Sequence, residues 1–326
     1  MDTYIYSLMY FDDKDSFLQP KVKQYGSHMV MTNVHKETKT KFWNIDTRFR
    51  DDYDQYTQTI TGSQINWYTF TLPQNINDVK SIYVCNVELP ISFYNISASL
   101  GNNVMKINDS VLTIPDGVYS PTSLRTAFQT QLAALSLSAI VFDISLNGNT
   151  ISSFRNTTGS PITLNFAVKS ATCNPLGTGV GSTTDFDKYN IKSKLGWLLG
   201  FRDITYTINN GVTKYSESVI DVNHPKYLYL VMDEFNNANQ NSFVSALPTS
   251  IMNKNILAKI SMDYRNYGNG TILPANEYNG LLLSDTRTYS GKVNLQKLKI
   301  QLVNEYGFPV NMNGLDFSFC LKIEYE

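Results

Sequence analysis

The chain has 326 residues and a formal net charge of −1, with 42% hydrophobic, 13% aromatic and only 17% charged residues. That composition fills a substantial core and excludes wholesale disorder, while the near-neutral balance excludes a domain whose main partner is nucleic-acid phosphate and leaves room for a local basic patch. The charge fraction lies below the roughly 25% of an average globular protein, and with 21 Tyr and 17 Phe it points to broad surfaces that face other protein.

Cys85, Cys173 and Cys320 lie at wide, irregular spacing. They form no zinc-type Cys-x-x-Cys pair and no disulfide framework, so a reducing context is expected. Met1-Asp2-Thr3-Tyr4 is not a basic region leading into an apolar run, which argues against a secretory signal. No stretch approaches the roughly 18 apolar residues of a membrane span. Sequons beginning at Asn95, Asn108, Asn156 and Asn269 read as by-products of an Asn-rich chain.

Residues 1–42 read as an extended N-terminal arm. They mix charge with scattered aromatic anchors, Tyr4, Tyr6, Tyr10 and Phe11 among them, and neither a period of 2 nor one of 3.6 persists. From Trp43 onward strand signals dominate. Residues 65–72 alternate, with Tyr68, Phe70 and Leu72 on one face, and stop at Pro73; a polar turn at 74–78 leads into a second strand at 79–89. Ser120 can cap a helix whose first position is Pro121 and whose apolar face is Leu124, Ala127, Phe128, Leu132 and Leu135. Residues 147–181, rich in Gly, Ser, Thr and Asn, read as short strands in loops.

Further strands are expected at 227–232, 256–262 and 281–289. Leu298, Ile300 and Leu302 alternate in one parity, Val293 and Leu295 in the other, which predicts a β-bulge near Gln296. The cleanest alternation is 315–325, where Leu315, Phe317, Phe319, Leu321, Ile323 and Tyr325 share a face. Many antiparallel strands with one or two helices predict an all-β protein of two packed sheets, a sandwich or a jelly roll.

Chemistry-bearing patterns are scarce. His28, His35 and His224 read as surface or turn histidines, with no metal-ligand spacing around them. Cys85 and Cys320 fall in predicted strands, where packing is their expected job. Gly177–Ser182 lacks the strand before and the helix after that a phosphate loop needs. Asp51, Asp52 and Asp54, and the pair Asp233-Glu234, are tight acidic clusters without a calcium-loop pattern. The expectation is no catalytic residue, no metal and no cofactor.

An ordered series of segments resembles a known family. Trp43-Asn44-Ile45-Asp46-Thr47-Arg48-Phe49-Arg50 is followed by Tyr68-Thr69-Phe70-Thr71-Leu72-Pro73, Val79-Lys80-Ser81-Ile82-Tyr83-Val84, Val87-Glu88-Leu89-Pro90 and Tyr94-Asn95-Ile96-Ser97. Then come Ile114-Pro115-Asp116-Gly117-Val118-Tyr119-Ser120, Leu195-Gly196-Trp197-Leu198-Leu199-Gly200-Phe201-Arg202, Tyr306-Gly307 and Asn313-Gly314-Leu315-Asp316-Phe317-Ser318-Phe319. Over about residues 43–326 this series resembles the minor capsid and penton-type proteins of nucleocytoplasmic large DNA viruses, which infect algae and protists.

The resemblance implies a jelly-roll β-sandwich, here a single jelly roll at 43–326 with an insertion at about 97–210 carrying one α-helix. It implies a non-enzymatic component of an icosahedral capsid, assembled in the host cytoplasm, with copies of itself (as in a pentamer), the major capsid protein and other minor capsid proteins as partners. Specific nucleic acid is not among them, and a place near the inner viral membrane would not involve spanning it. Candidate interface and arm anchors are Tyr4, Tyr6, Tyr10, Phe11, Trp43, Arg48 and Arg50; candidate structural anchors are Trp197, Phe201, Phe317 and Phe319. A carbohydrate-binding or host-attachment module is the alternative, since jelly rolls also serve lectins.

Overall fold

A computed structural model describes residues 37–51, 68–145, 150–168, 191–235, 255–305, 307 and 309–326. The elements run β1 (Lys39–Asp46), a 3-10 turn (Thr47–Phe49), β2 (Tyr68–Pro90), β3 (Val104–Ile107), β4 (Ser110–Thr113), α1 (Pro121–Ala134), β5 (Ile140–Ser145), β6 (Ile151–Asn156) and β7 (Ile162–Asn165). A second 3-10 turn (Ile191–Ser193) precedes α2 (Leu195–Leu198), β8 (Thr205–Ile208), β9 (Thr213–Val219), β10 (Tyr227–Asp233) and β11 (Ile256–Ser261). The chain continues through β12 (Ile272–Asn276), β13 (Leu282–Ser284), β14 (Arg287–Asn304) and β15 (Ser318–Tyr325).

The main sheet has eight strands in the order β1-β15-β2-β14-β10-β11-β13, with β12 also paired to β2. All its ladders are antiparallel. The sheet curls around a single hydrophobic core drawn from residues 45–93 and 228–323. Curvature comes from β2 and β14, which are too long to lie in one flat layer. Along one edge β2 pairs first with β14 and then, from Asn86 to Pro90, with β12; along the other it pairs with β15. The fold class is all-β, a jelly-roll sandwich.

Three expected boundaries are corrected. The turn at 74–78 does not exist: β2 runs unbroken through it, Ile76 is buried and pairs with Leu295, and the ladder slips register on both sides. Asp78 takes φ 56, so the polar run makes a bulge and bends the strand where it pairs with β14. The strand expected at 281–289 is two, β13 and β14, separated at Asp285-Thr286. Similarly, β15 begins at Ser318, and Leu315 lies exposed before it, because the Asn313-Gly314 turn with positive φ at both residues still directs the chain there. The bulge near Gln296 is present: β14 shifts register between Leu295 and Lys297, which keeps both Val293/Leu295 and Leu298/Ile300 on the core.

A second core lies between Ile96 and Val222. It is enclosed by a four-stranded sheet (β4-β3-β7-β8), a three-stranded sheet (β5-β6-β9) and α1. Helix α1 starts where Ser120 accepts from the Ser123 N–H and the Ser123 hydroxyl accepts from the Ser120 N–H, with Pro121 at its first position. It buries Leu124, Phe128 and Leu132, while Leu135 ends the helix exposed. Phe128 meets Phe142 at 4.1 Å between ring centroids, and Phe142 meets Phe154 at 4.8 Å. Each buried phenylalanine of this kind stabilises the fold by about 1.5–3 kcal/mol. The sequence shows short strands in loops here; the structure shows that they close a core of their own.

Candidate functional site at the junction of the two cores

The chain leaves the first core after Phe93 and returns to it at Leu228. Asn95 ties the outgoing and returning segments together. Its side-chain amide donates to the Tyr119 carbonyl at 2.8 Å and to the Val222 carbonyl at 2.7 Å, while its Oδ1 accepts from the Tyr119 N–H at 2.9 Å. Asp116 orders the adjacent loop by accepting from the Ala98 N–H at 2.7 Å. Of the four sequon asparagines, Asn95 and Asn156 are buried with both amide hydrogens engaged, so the side chains of these two are structural.

Between the cores opens a cleft of about 170 Å³ whose lining includes Phe93, Tyr94, Asp116, His224, Glu305 and Asn313. His224 is the charged centre of its wall, and the surface reading of this histidine is corrected: only 15% of its side chain is exposed. Nδ1 lies 3.0 Å from Glu305 Oε1, and Nε2 lies 3.6 Å from Asp221 Oδ2, which also holds Lys226 Nζ at 2.6 Å. The backbone N–H of Lys226 reaches the same Glu305 oxygen at 3.3 Å. Burial alone would lower the histidine pKa, but Asp221 and Glu305 outweigh it and raise it to about 9. In return Asp221 is held well below the usual carboxylate range by its cationic neighbours, His224 first and then Lys226.

Both ring nitrogens are thus occupied by carboxylates, so the imidazolium works as a clamp between Asp221 and Glu305, not as a free base. Among the described residues, no group of three or more His, Cys, Asp or Glu side chains is arranged to hold a metal ion. Nor is any described helix long and apolar enough to cross a membrane.

A pH dependence follows. A histidine whose folded pKa is raised adds stability that is complete below about pH 6.5 and is lost as pH rises through about 9. The expected loss is about 2–3 kcal/mol. Urea unfolding midpoints between pH 6 and 10 measure it, and His224→Gln should flatten the decline; an unchanged slope in that variant refutes the assignment.

The residues singled out from sequence fall in different places. Tyr4, Tyr6, Tyr10 and Phe11 lie outside the described residues, as do His28, His35, Asp52, Asp54, Cys173 and the segment 177–182. Trp43 is partly buried against the main core, and the aromatic side chains its segment leaves exposed are Phe42 and Phe49. Arg48 pairs with Asp46, whose carboxylate also caps the 3-10 turn. Arg50 stacks over the Tyr68 ring at 5.3 Å.

Phe317 and Phe319 are buried in the first core and Phe201 in the second. Trp197 is partly buried at the junction, with the Arg202 guanidinium 4.0 Å from its ring centroid. Sequence reasoning missed the buried Arg287–Glu234 pair, at 2.8 Å. One arginine in a strand with alternating parity carries no local signal that it faces inward.

No family model matches the chain, and no curated protein does. Solved structures similar to it include two viral ones. The selenomethionine-labelled mavirus penton protein, a crystal structure, is 11% identical, with 80% of this chain and 99% of that one covered and a TM-score of 0.41. The 3.5 Å cryo-EM structure of the Sputnik virophage is 13% identical, with 88% and 98% covered and a TM-score of 0.37.

Proposed function

We propose that the chain is a structural component of an icosahedral viral capsid, a penton or another minor capsid protein, that stabilises the shell through subunit–subunit contacts. The observation that carries this reading is strand β1. Among the described residues it ends the main sheet, with one edge unpaired, and it presents Phe42 on its outer face with Phe49 just beyond. Phe49 is 76% exposed, an unfavourable place for a phenylalanine that no partner covers. A heterologous contact that closes into a ring, as at a five-fold vertex, buries such a side chain once per subunit. The low charge fraction and the engagement of both His224 ring nitrogens by carboxylates fit a protein whose work is contact.

In this reading residues 1–42 are an arm whose last four residues, Lys39–Phe42, already pair with β15 as the start of β1, and whose earlier part orders on neighbouring capsid proteins, with Tyr4, Tyr6, Tyr10 and Phe11 as anchors. Residues 43–326 are the jelly-roll body, and the insertion at about 97–210 corresponds to the second core, whose buried residues run from Ile96 to Val222. Partners are copies of the chain, the major capsid protein and other minor capsid proteins, and the place of action is the virion capsid, assembled in the host cytoplasm.

Replacing Phe42 and Phe49 together by serine tests the carrying observation. Both are exposed, so the folding stability of the subunit should change by less than about 1 kcal/mol, while its association, read by light scattering, should weaken at least about tenfold, a loss of roughly 1.4 kcal/mol. Association at the parent level overturns the interface. The alternative, a carbohydrate-binding or host-attachment module, is favoured by Tyr278, fully exposed on the turn after β12. Glycan-array binding that disappears in Tyr278→Ala would establish it.

A further inference from the structure

Cys85 and Cys320 stand together on one face of the main sheet. In β15 the residues Phe319, Leu321 and Ile323 point into the core, which turns Cys320 outward; in β2 Val84 and Val87 are buried, and Cys85 and Asn86 between them face out. The ladder pairs Cys320 with Asn86 and Leu321 with Val84, so Cys85 is the extra residue of a β-bulge and lies opposite the Cys320–Leu321 step. Both thiols are free and partly buried, on neighbouring strands and on the same outward side of the sheet. Bulges re-aim side chains, and this one sets Cys85 beside Cys320 across the β2–β15 ladder.

We propose that Cys85 and Cys320 form an oxidation site, in which exchange with an external disulfide such as oxidised glutathione joins them and clamps β15 to β2. One protein thiol gives its proton to solvent, and its thiolate attacks a glutathione sulfur, expelling one glutathione thiolate. The second protein thiolate then attacks the protein sulfur of that mixed disulfide, forms the Sγ–Sγ bond and expels the other glutathione thiolate. Two protein thiols are oxidised, one external disulfide is reduced to two thiols, and the protons released by the protein are taken up by the leaving thiolates.

The bond would close a chain loop that contains the whole second core, so it restricts the unfolded chain strongly. It also secures the strand to which β1 is paired. Burial raises both thiols above their ordinary value, so exchange is slow at neutral pH and quickens as pH rises. Such a pair stays reduced in a reducing compartment and closes gradually once the protein leaves it. The pair stands on ladder geometry and is independent of the capsid reading.

The test uses the full chain, equilibrated in glutathione mixtures of rising oxidised fraction, acid-quenched, alkylated and digested for mass spectrometry. The expected result is a reducible peptide pair containing Cys85 and Cys320, together with a rise of about 5–10 °C in the thermal midpoint. Both should be absent in Cys320→Ser and in Cys85→Ser and retained in Cys173→Ser. Full alkylation of both thiols after oxidation, glutathione adducts without the cross-link, or a cross-link to Cys173 each overturns the proposal.

Discussion

Arg287→Met is expected to cost about 3–5 kcal/mol of folding stability, among the largest effects of any single substitution in the described residues. Arg287 is 1% exposed and its partner Glu234 5%, so neither charge is screened by water. Arg287 Nη1 donates to Glu234 Oε2 at 2.8 Å and Oε1 at 3.1 Å, and to the Met232 carbonyl at 3.1 Å; Nη2 donates to the Ile256 carbonyl at 3.2 Å. The Tyr289 hydroxyl adds a hydrogen bond to Glu234 Oε1 at 3.0 Å. Removing the guanidinium takes the Arg287 cation from a buried carboxylate and one donor from each of two backbone carbonyls, the last in the region where β10 and β11 slip register. Removing the charges together is a different matter, because an apolar replacement of similar volume leaves no charge uncompensated. Arg287→Met combined with Glu234→Leu and Tyr289→Phe should return to within about 1–2 kcal/mol of the parent. Urea unfolding of the single and triple variants decides it: a single variant within about 1 kcal/mol of the parent sinks the assignment.

Gly200→Ala is expected to cost about 3 kcal/mol. Gly200 follows α2 with φ +94, and its N–H donates to the Trp197 carbonyl at 3.0 Å while the Phe201 N–H returns to the Gly196 carbonyl at 2.8 Å. This is a helix end that calls for a left-handed residue, where a side chain costs about 1 kcal/mol. The larger part comes from the neighbour. A Cβ at Gly200 runs into the carbonyl oxygen of Ser218, whose own N–H donates to the Gly200 carbonyl at 3.0 Å, so the obstruction is backbone and cannot rotate away. Gly211→Ala is the matched control: φ is +77, but nothing lies within 4 Å, so only about 1 kcal/mol should be lost. Equal losses at the two positions would show that the close approach to β9 does not matter.

Helix α1 is legible in the sequence because all its signals are local: the Ser120 cap, Pro121 at the first position, and Leu124, Phe128 and Leu132 at helical spacing. The core face of β15 is legible for the same reason, since Phe319, Leu321 and Ile323 alternate without interruption. The bulge in β14 can be read from a change of parity alone. The unbroken course of β2 cannot, because Gln74, Asn75 and Asn77 have the composition of a turn, and only the pairing of Ile76 with Leu295 keeps them in a strand.

The junction was the least accessible part. His224 gains its meaning from Glu305, which lies 81 residues away, and Arg287 from Glu234, 53 residues away. The two cysteines are separated by most of the chain and meet only through the β2–β15 ladder.

From the order of residues alone come the β-rich character, the capped helix, the glycines of the 195–202 segment and the low-charge, aromatic composition, all properties of composition or of spacing within a few positions. Which charges are buried, which cysteines become neighbours and where one core ends and the next begins were decided by tertiary structure. Register between strands distant in sequence sets those contacts, and a single slip of one residue turns an inward side chain outward.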